Sequence, residues 1–195
     1  RPAIVFFFGG GWVGGSTTQF HPQATRLASR GMVAYCADYR VRSRHETSPF
    51  EAVAEAKAAV RWIWRNAGKQ GVDRKKIVSA GGSAGGHLAA CSGLVAGHDE
   101  VKDGEPAFIP AAMVLFNPVI DTSPKGYGHG KLKERYRELS PVEHVHDKTV
   151  PTLVLVGSAD TTTPVTGHKL FEARMKEKER LCRLIIFPGQ KHGFF

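Results

Sequence analysis

Ser83 sits in Gly81-Gly82-Ser83-Ala84-Gly85, with a glycine two positions to either side. The strand-like run Lys76–Ala80 leads into it, and the small and apolar residues of Ala84–Val95 follow it as an expected helix. A sharp strand–turn–helix junction strains the serine backbone and leaves no room for side chains at the flanking positions. It also lifts the hydroxyl above the edge of the sheet and aims a helix N-terminus at the space beside it. That is the setting of a nucleophile. A phosphate loop would carry a Lys-Ser/Thr pair after the glycines, and a dinucleotide site would carry an acid at ribose-binding spacing. Neither is present.

A serine hydroxyl attacks only when a base takes its proton. Of the 9 histidines, His192 is the candidate base, because it follows the last expected strand on a glycine-flanked loop, Gln190-Lys191-His192-Gly193-Phe194. His87 falls one helical turn past Ser83, where packing in the core is the expected role. A carboxylate must then fix the imidazole tautomer. Asp160 follows the fifth strand in Gly157-Ser158-Ala159-Asp160 and is the first choice, with Asp121, after the fourth strand, as its rival. Gly9-Gly10-Gly11-Trp12 follows the first strand. The free amides of these glycines, with that of Ala84, form a candidate oxyanion hole, in which each donor is typically worth about 10²–10³ in rate.

Elements must bring these positions to one rim. Ala3–Phe8, Met32–Ala37, Lys76–Ala80, Ala112–Asn117, Thr152–Gly157 and Arg183–Phe187 read as strands. They are continuous apolar runs rather than alternating ones, which belongs to a parallel sheet covered on both faces. Gln19–Arg30, Pro49–Asn66, Ala84–Val95 and Val165–Arg180 read as helices between them, giving an α/β sandwich. Residues 121–150 form a long connection rich in Gly, Pro and Lys, with a short helix expected at Leu132–Leu139. They are a candidate lid or insertion in an otherwise single domain spanning 1–195.

Hydrophobic residues make up 42% of the 195 and charged residues 23%, enough apolar material for a core, which excludes a disordered polymer. The longest apolar runs reach about a third of the ~20 residues that cross a bilayer, so no membrane span is expected. Three cysteines build no disulfide framework, and Cys36, Cys91 and Cys182 are all expected as buried thiols. This usage fits a cytosolic or an exported protein. The net charge of +9 raises nucleic-acid binding. However, the basic stretches interleave with Glu134, Glu138, Glu177 and Glu179, a pattern of ion-paired helix faces rather than a phosphate track. No nucleic-acid partner is expected.

The segments FFFGGGWVGGS, ADYR, GGSAGGHLAA, GSADTTTP and KHGFF resemble the α/β-hydrolase superfamily. More narrowly, they are similar to hormone-sensitive-lipase-type carboxylesterases and to acetylxylan and feruloyl esterases. The resemblance runs from Ala3 to Phe195. It implies a three-layer α/β-hydrolase sandwich with a mostly parallel sheet and a serine ester hydrolase with no cofactor or metal. It implies Ser83 as nucleophile, Asp160 as acid and His192 as base, with Gly10, Gly11 and Ala84 as oxyanion donors. The expected substrate is a small-molecule or carbohydrate ester with a short, acetyl-like acyl group. A prolyl-oligopeptidase-type serine peptidase and a non-catalytic basic binding module are the alternatives. Ala84 stands where such peptidases commonly carry a bulky residue. The family usually has His-Gly-Gly-Gly where this chain has Phe8-Gly9-Gly10-Gly11, so the glycine loop must be braced differently. The family's first two strands and final helix have no counterpart, so the chain is expected to be truncated at both ends.

Overall fold

The computed structural model describes residues 1–98, 105 and 108–195. The sequence from Gly97 to Pro110 reads as a polar loop, and most of it lies outside the described residues. The strands are β1 (Ala3–Phe7), β2 (Val33–Ala37), β3 (Ile77–Gly82), β4 (Ala112–Phe116), β5 (Thr152–Gly157) and β6 (Cys182–Phe187). They pair in parallel in the order β2-β1-β3-β4-β5-β6. The chain runs outward from β1 to β2, then returns to the other side of β1 as β3 and proceeds outward again. The strand order therefore reverses between β1 and β3, and in open α/β sheets the crevice at that reversal is where ligands bind.

Side-chain alternation in β1 divides the core in two. Ala3, Val5 and Phe7 pack on one face with residues of α3 (Pro49–Asn66), α4 (Ala84–Leu94) and α6 (Val165–Glu177). Ile4 and Phe6 pack on the other face with Phe20 and with Ala24 of α1 (His21–Ala28). Each buried Phe of this kind contributes about 2–3 kcal/mol by leaving water. The helices begin where the chemistry demands. Ser48 caps α3, its hydroxyl accepting from Phe50 N while Glu51 accepts from Ser48 N, and Pro49 occupies the first turn, where a missing N–H costs nothing. Every residue of α4 is buried, and most of them are small, Gly, Ala, Ser or Cys, which lets the helix pack closely on its neighbours.

Three expectations are corrected. Gln19–Arg30 is not one helix: a 3-10 turn at Thr17–Phe20, capped by Ser16, precedes α1. Leu132–Leu139 is not one helix either. The short α5 (His129–Leu132) ends at Lys133, whose φ of 51° breaks it, and a 3-10 segment, Lys133–Leu139, follows. Leu132, Leu139 and Val142 from this connection still enter the main core. Of the cysteines only Cys91 is buried, because Cys36 and Cys182 lie on the two edge strands, where cover is incomplete. No helix among the described residues is long and apolar enough to cross a membrane.

His87, in α4, is the expected core histidine. Its Nε2 lies 2.7 Å from the Leu139 carbonyl, and Trp12 meets its ring edge-on. Burial, only partly offset by that carbonyl, pushes its pKa down to about 4. As pH falls the unfolded chain therefore takes up this proton first. The His87 contribution is intact above pH 6.5 and is lost between there and pH 4, by about 3 kcal/mol in all. Urea midpoints measured across that window are expected to fall for the wild type and to slope less in His87→Gln, whatever the constant offset between the two proteins.

Candidate active site

β3 continues through Gly81 and Gly82 directly to Ser83, which begins α4. The glycines are there for contact. A Cβ on Gly85 would stand 2.0 Å from the Phe7 carbonyl oxygen, and one on Gly81 would stand 2.4 Å from that of Gly85. Ser83 itself is held at φ 54°, ψ −120°, a conformation that costs about 1–3 kcal/mol and persists only when its surroundings enforce it. Its amide donates to Phe116 O, while its carbonyl accepts from His87 N and Val119 N.

The structure brings the three sequence-predicted side chains together from the ends of β3, β5 and β6. Ser83 Oγ lies 2.9 Å from His192 Nε2, and His192 Nδ1 lies 2.8 Å from Asp160 Oδ2. A carboxylate only accepts, so Nδ1 carries the proton and Nε2 is free to accept from the serine. Asp160 is completely covered, whereas His192 stays about a quarter exposed (26%). Thr162 N and Thr163 N donate to Asp160 Oδ1, and the Thr163 hydroxyl donates to Oδ2. Burial on its own raises an acid. Here it is outweighed by the Thr163 amide, His192 and the Thr163 hydroxyl, which hold the Asp160 carboxyl below its ordinary value.

Asp121, the rival acid, is elsewhere. It accepts from Ser123 N in a turn and lines a separate cavity with Lys125, Pro164 and Leu170. His192 makes its carboxylate contact with Asp160.

The glycine loop after β1 faces Ser83 across a narrow gap. A Cβ on Gly9 would stand 3.1 Å from that of Ser83. Gly10 and Gly11 have φ of 130° and 62°, values open to glycine. Val13 N and Gly14 N donate to Gly10 O, which turns the Gly11 N–H, trans across the same peptide, the opposite way. Among the described residues nothing accepts from the amides of Gly10, Gly11 or Ala84.

With Phe8 where a histidine was expected, the loop is braced by other means. The Phe8 ring stacks on Tyr39 at 4.2 Å, and the Tyr39 hydroxyl donates to Phe8 O. Burial, aided by the charge of Asp38, pushes the Tyr39 phenol up, so it remains a donor. Gln19 Oε1 accepts from Gly9 N at 2.6 Å, and Lys131 Nζ donates to Gly11 O at 2.8 Å.

Sequence reasoning missed Gln19, Tyr39, Asn117, Lys131 and Thr163. Asn117 lies beside the imidazole, its Nδ2 3.2 Å from Nδ1, at a φ of 30°. The only signal for it was its place before Pro118 at the end of β4. Gly9–Gly11, Gln19, Ser83, Asn117, Tyr127, His192 and Phe195 border a cleft of about 270 Å³. Among the described residues no group of His, Cys, Asp and Glu side chains is arranged to hold a metal.

The BD-FAE family matches residues 1–127. Esterase LipC of Mycobacterium tuberculosis is 31% identical over 215 residues, covering 99% of this chain and 53% of its own length. Endo-1,4-beta-xylanase B of Butyrivibrio fibrisolvens is 28% identical over 99% of this chain and 32% of its own. The chain thus spans about half of LipC and a third of the xylanase. Among solved structures, apo esterase 2 of Thermogutta terrifontis superposes with a TM-score of 0.92 at 44% identity, over 100% of this chain and 75% of that one. The same esterase is described bound to propionate, bound to butyrate and phosphorylated by paraoxon. By sequence and by fold, the chain belongs to the BD-FAE family of the α/β-hydrolase superfamily.

Proposed function

We propose that the chain is a serine carboxylic ester hydrolase for short acyl groups. The observation that carries this reading is the hydrogen-bonded series from Ser83 through His192 to covered Asp160, open to a cleft on the serine side. Ser83 Oγ bonds to the ester carbonyl carbon while its proton passes to His192 Nε2. Asp160 keeps the Nδ1 proton in place and stabilises the imidazolium without becoming protonated. The carbonyl oxygen becomes an oxyanion and accepts from the amides of Gly10, Gly11 and Ala84, which no described residue occupies. The C–O bond to the alcohol then breaks, and His192 gives that alcohol its proton. A water molecule, deprotonated by His192, repeats the attack on the acyl-serine and releases the acid.

The short-acyl preference is supported by the cleft of about 270 Å³, which Tyr127 and Phe195 help to line. It is also supported by the propionate and butyrate complexes described for the structural neighbour. The match to a protein named as a xylanase supports acetylated or feruloylated carbohydrate as the natural ester. The test is a 4-nitrophenyl ester series. Acetate to butyrate is expected to give the highest kcat/KM, with octanoate roughly tenfold lower. A maximum at octanoate would contradict the short-acyl reading.

A further inference from the structure

A second cavity, of about 300 Å³, adjoins the catalytic cleft, with Gly11 as a shared wall. Its charged lining is Arg42, Lys131 and Lys133 against Glu46 alone. The guanidinium of Arg42 and the ammonium of Lys133 have no partner among the described residues. Lys131 uses one donor on Gly11 O and lies over the rings of Trp12 and Tyr127, leaving two N–H groups to spare. Two further lining residues carry orphaned polar atoms. Trp12 Nε1, on a residue 2% exposed, and Thr47 Oγ1 are both buried without a hydrogen-bond partner. Such groups cost stability in a folded chain and call for an explanation. Trp12, Glu46 and Lys133 also hold φ of 60°, 56° and 51°, a conformation retained where surroundings over-determine it.

An excess of exposed cations around one space matches a carboxylate, whose lone pairs accept from them. A neutral apolar group would gain nothing from these cations. We propose that this cavity is a subsite for a carboxylate on the substrate, so that the preferred ester is anionic. The proposal rests on the reading of Ser83 as the nucleophile, because the subsite gains its meaning from lying behind the oxyanion loop.

The carboxylate is carried by either half of the ester, and two matched pairs distinguish them. On the acyl side the 4-nitrophenyl half-ester of adipic acid is compared with its methyl-capped diester. On the alcohol side 4-carboxyphenyl acetate is compared with 4-carbamoylphenyl acetate. After correction for spontaneous hydrolysis, one pair is expected to favour the anion in kcat/KM by about tenfold at low salt, the effect of one charge-assisted contact. That ratio is expected to fall toward one in about 1 M salt and in Arg42→Gln/Lys133→Gln. The readout is a ratio within each protein, so the amount of folded variant cancels, and the salt titration needs no variant.

A ratio of one in both pairs, with Ser83-dependent turnover of the neutral esters intact, would overturn the subsite and leave the esterase reading standing. An anionic preference unchanged by salt and by the double substitution would overturn it equally. Neutral esters turned over as fast by Ser83→Ala as by wild type would instead overturn the esterase reading itself.

Discussion

Ser83→Ala is expected to lower kcat for 4-nitrophenyl acetate by roughly 10⁴- to 10⁶-fold, with the fold intact. The size follows from the chemistry. Without Oγ no acyl-enzyme forms, and His192 and the loop amides are left to assist water alone. The fold survives because Ser83 holds its strained turn through its backbone, by the bonds to Phe116, His87 and Val119. Alanine keeps all three. The variant should therefore melt close to the wild type, and steady-state kinetics beside a melting curve check both halves. Loss of activity together with loss of folding would leave the nucleophile's role to be read from the labelling described below.

Asp160→Asn is expected to cost about 10⁴-fold in kcat, and Asp121→Asn to stay within a few-fold of wild type. An amide at residue 160 presents N–H where Oδ2 accepts from Nδ1. The imidazole is then driven to the other tautomer, with its proton on the nitrogen that must receive the serine's. Residue 121 has no such hold, since its carboxylate caps a turn at Ser123. Acid stability separates the two as well. The Asp160 carboxyl is held below its ordinary value, so it contributes stability above the usual carboxylate range. That contribution is lost as pH falls through the lowered value. Asp160→Asn is expected to remove that part of the acid transition. Equal kinetic losses in both variants would contradict the assignment of the acid.

The parts legible in the sequence were those fixed by local chemistry. The strands announced themselves as unbroken apolar runs, because a sheet covered on both faces needs them. The turn at Ser83 was legible because Gly81 and Gly85 approach backbone carbonyls more closely than any side chain permits. His192 and Asp160 were legible as polar residues just past strand ends, His192 beside a glycine. What escaped were partners set by tertiary approach. Lys131 lies 120 residues from Gly11, and Asn117 lies 75 from His192. No spacing rule reaches that far. The break at Lys133 escaped too, because a lysine in the left-handed region carries no local signal. Cys36 and Cys182 read as core residues from their neighbours, whereas exposure at the sheet edges depends on strand order.

The account turns on one relay of side chains poised to activate a single hydroxyl. Its most direct test is to treat the protein with paraoxon and map the modified peptide by mass spectrometry. The account predicts one phosphoryl adduct, on Ser83, absent from Ser83→Ala and formed far more slowly in His192→Ala. An adduct on another residue with Ser83 unmodified, or equal labelling of the wild type and Ser83→Ala, would contradict it.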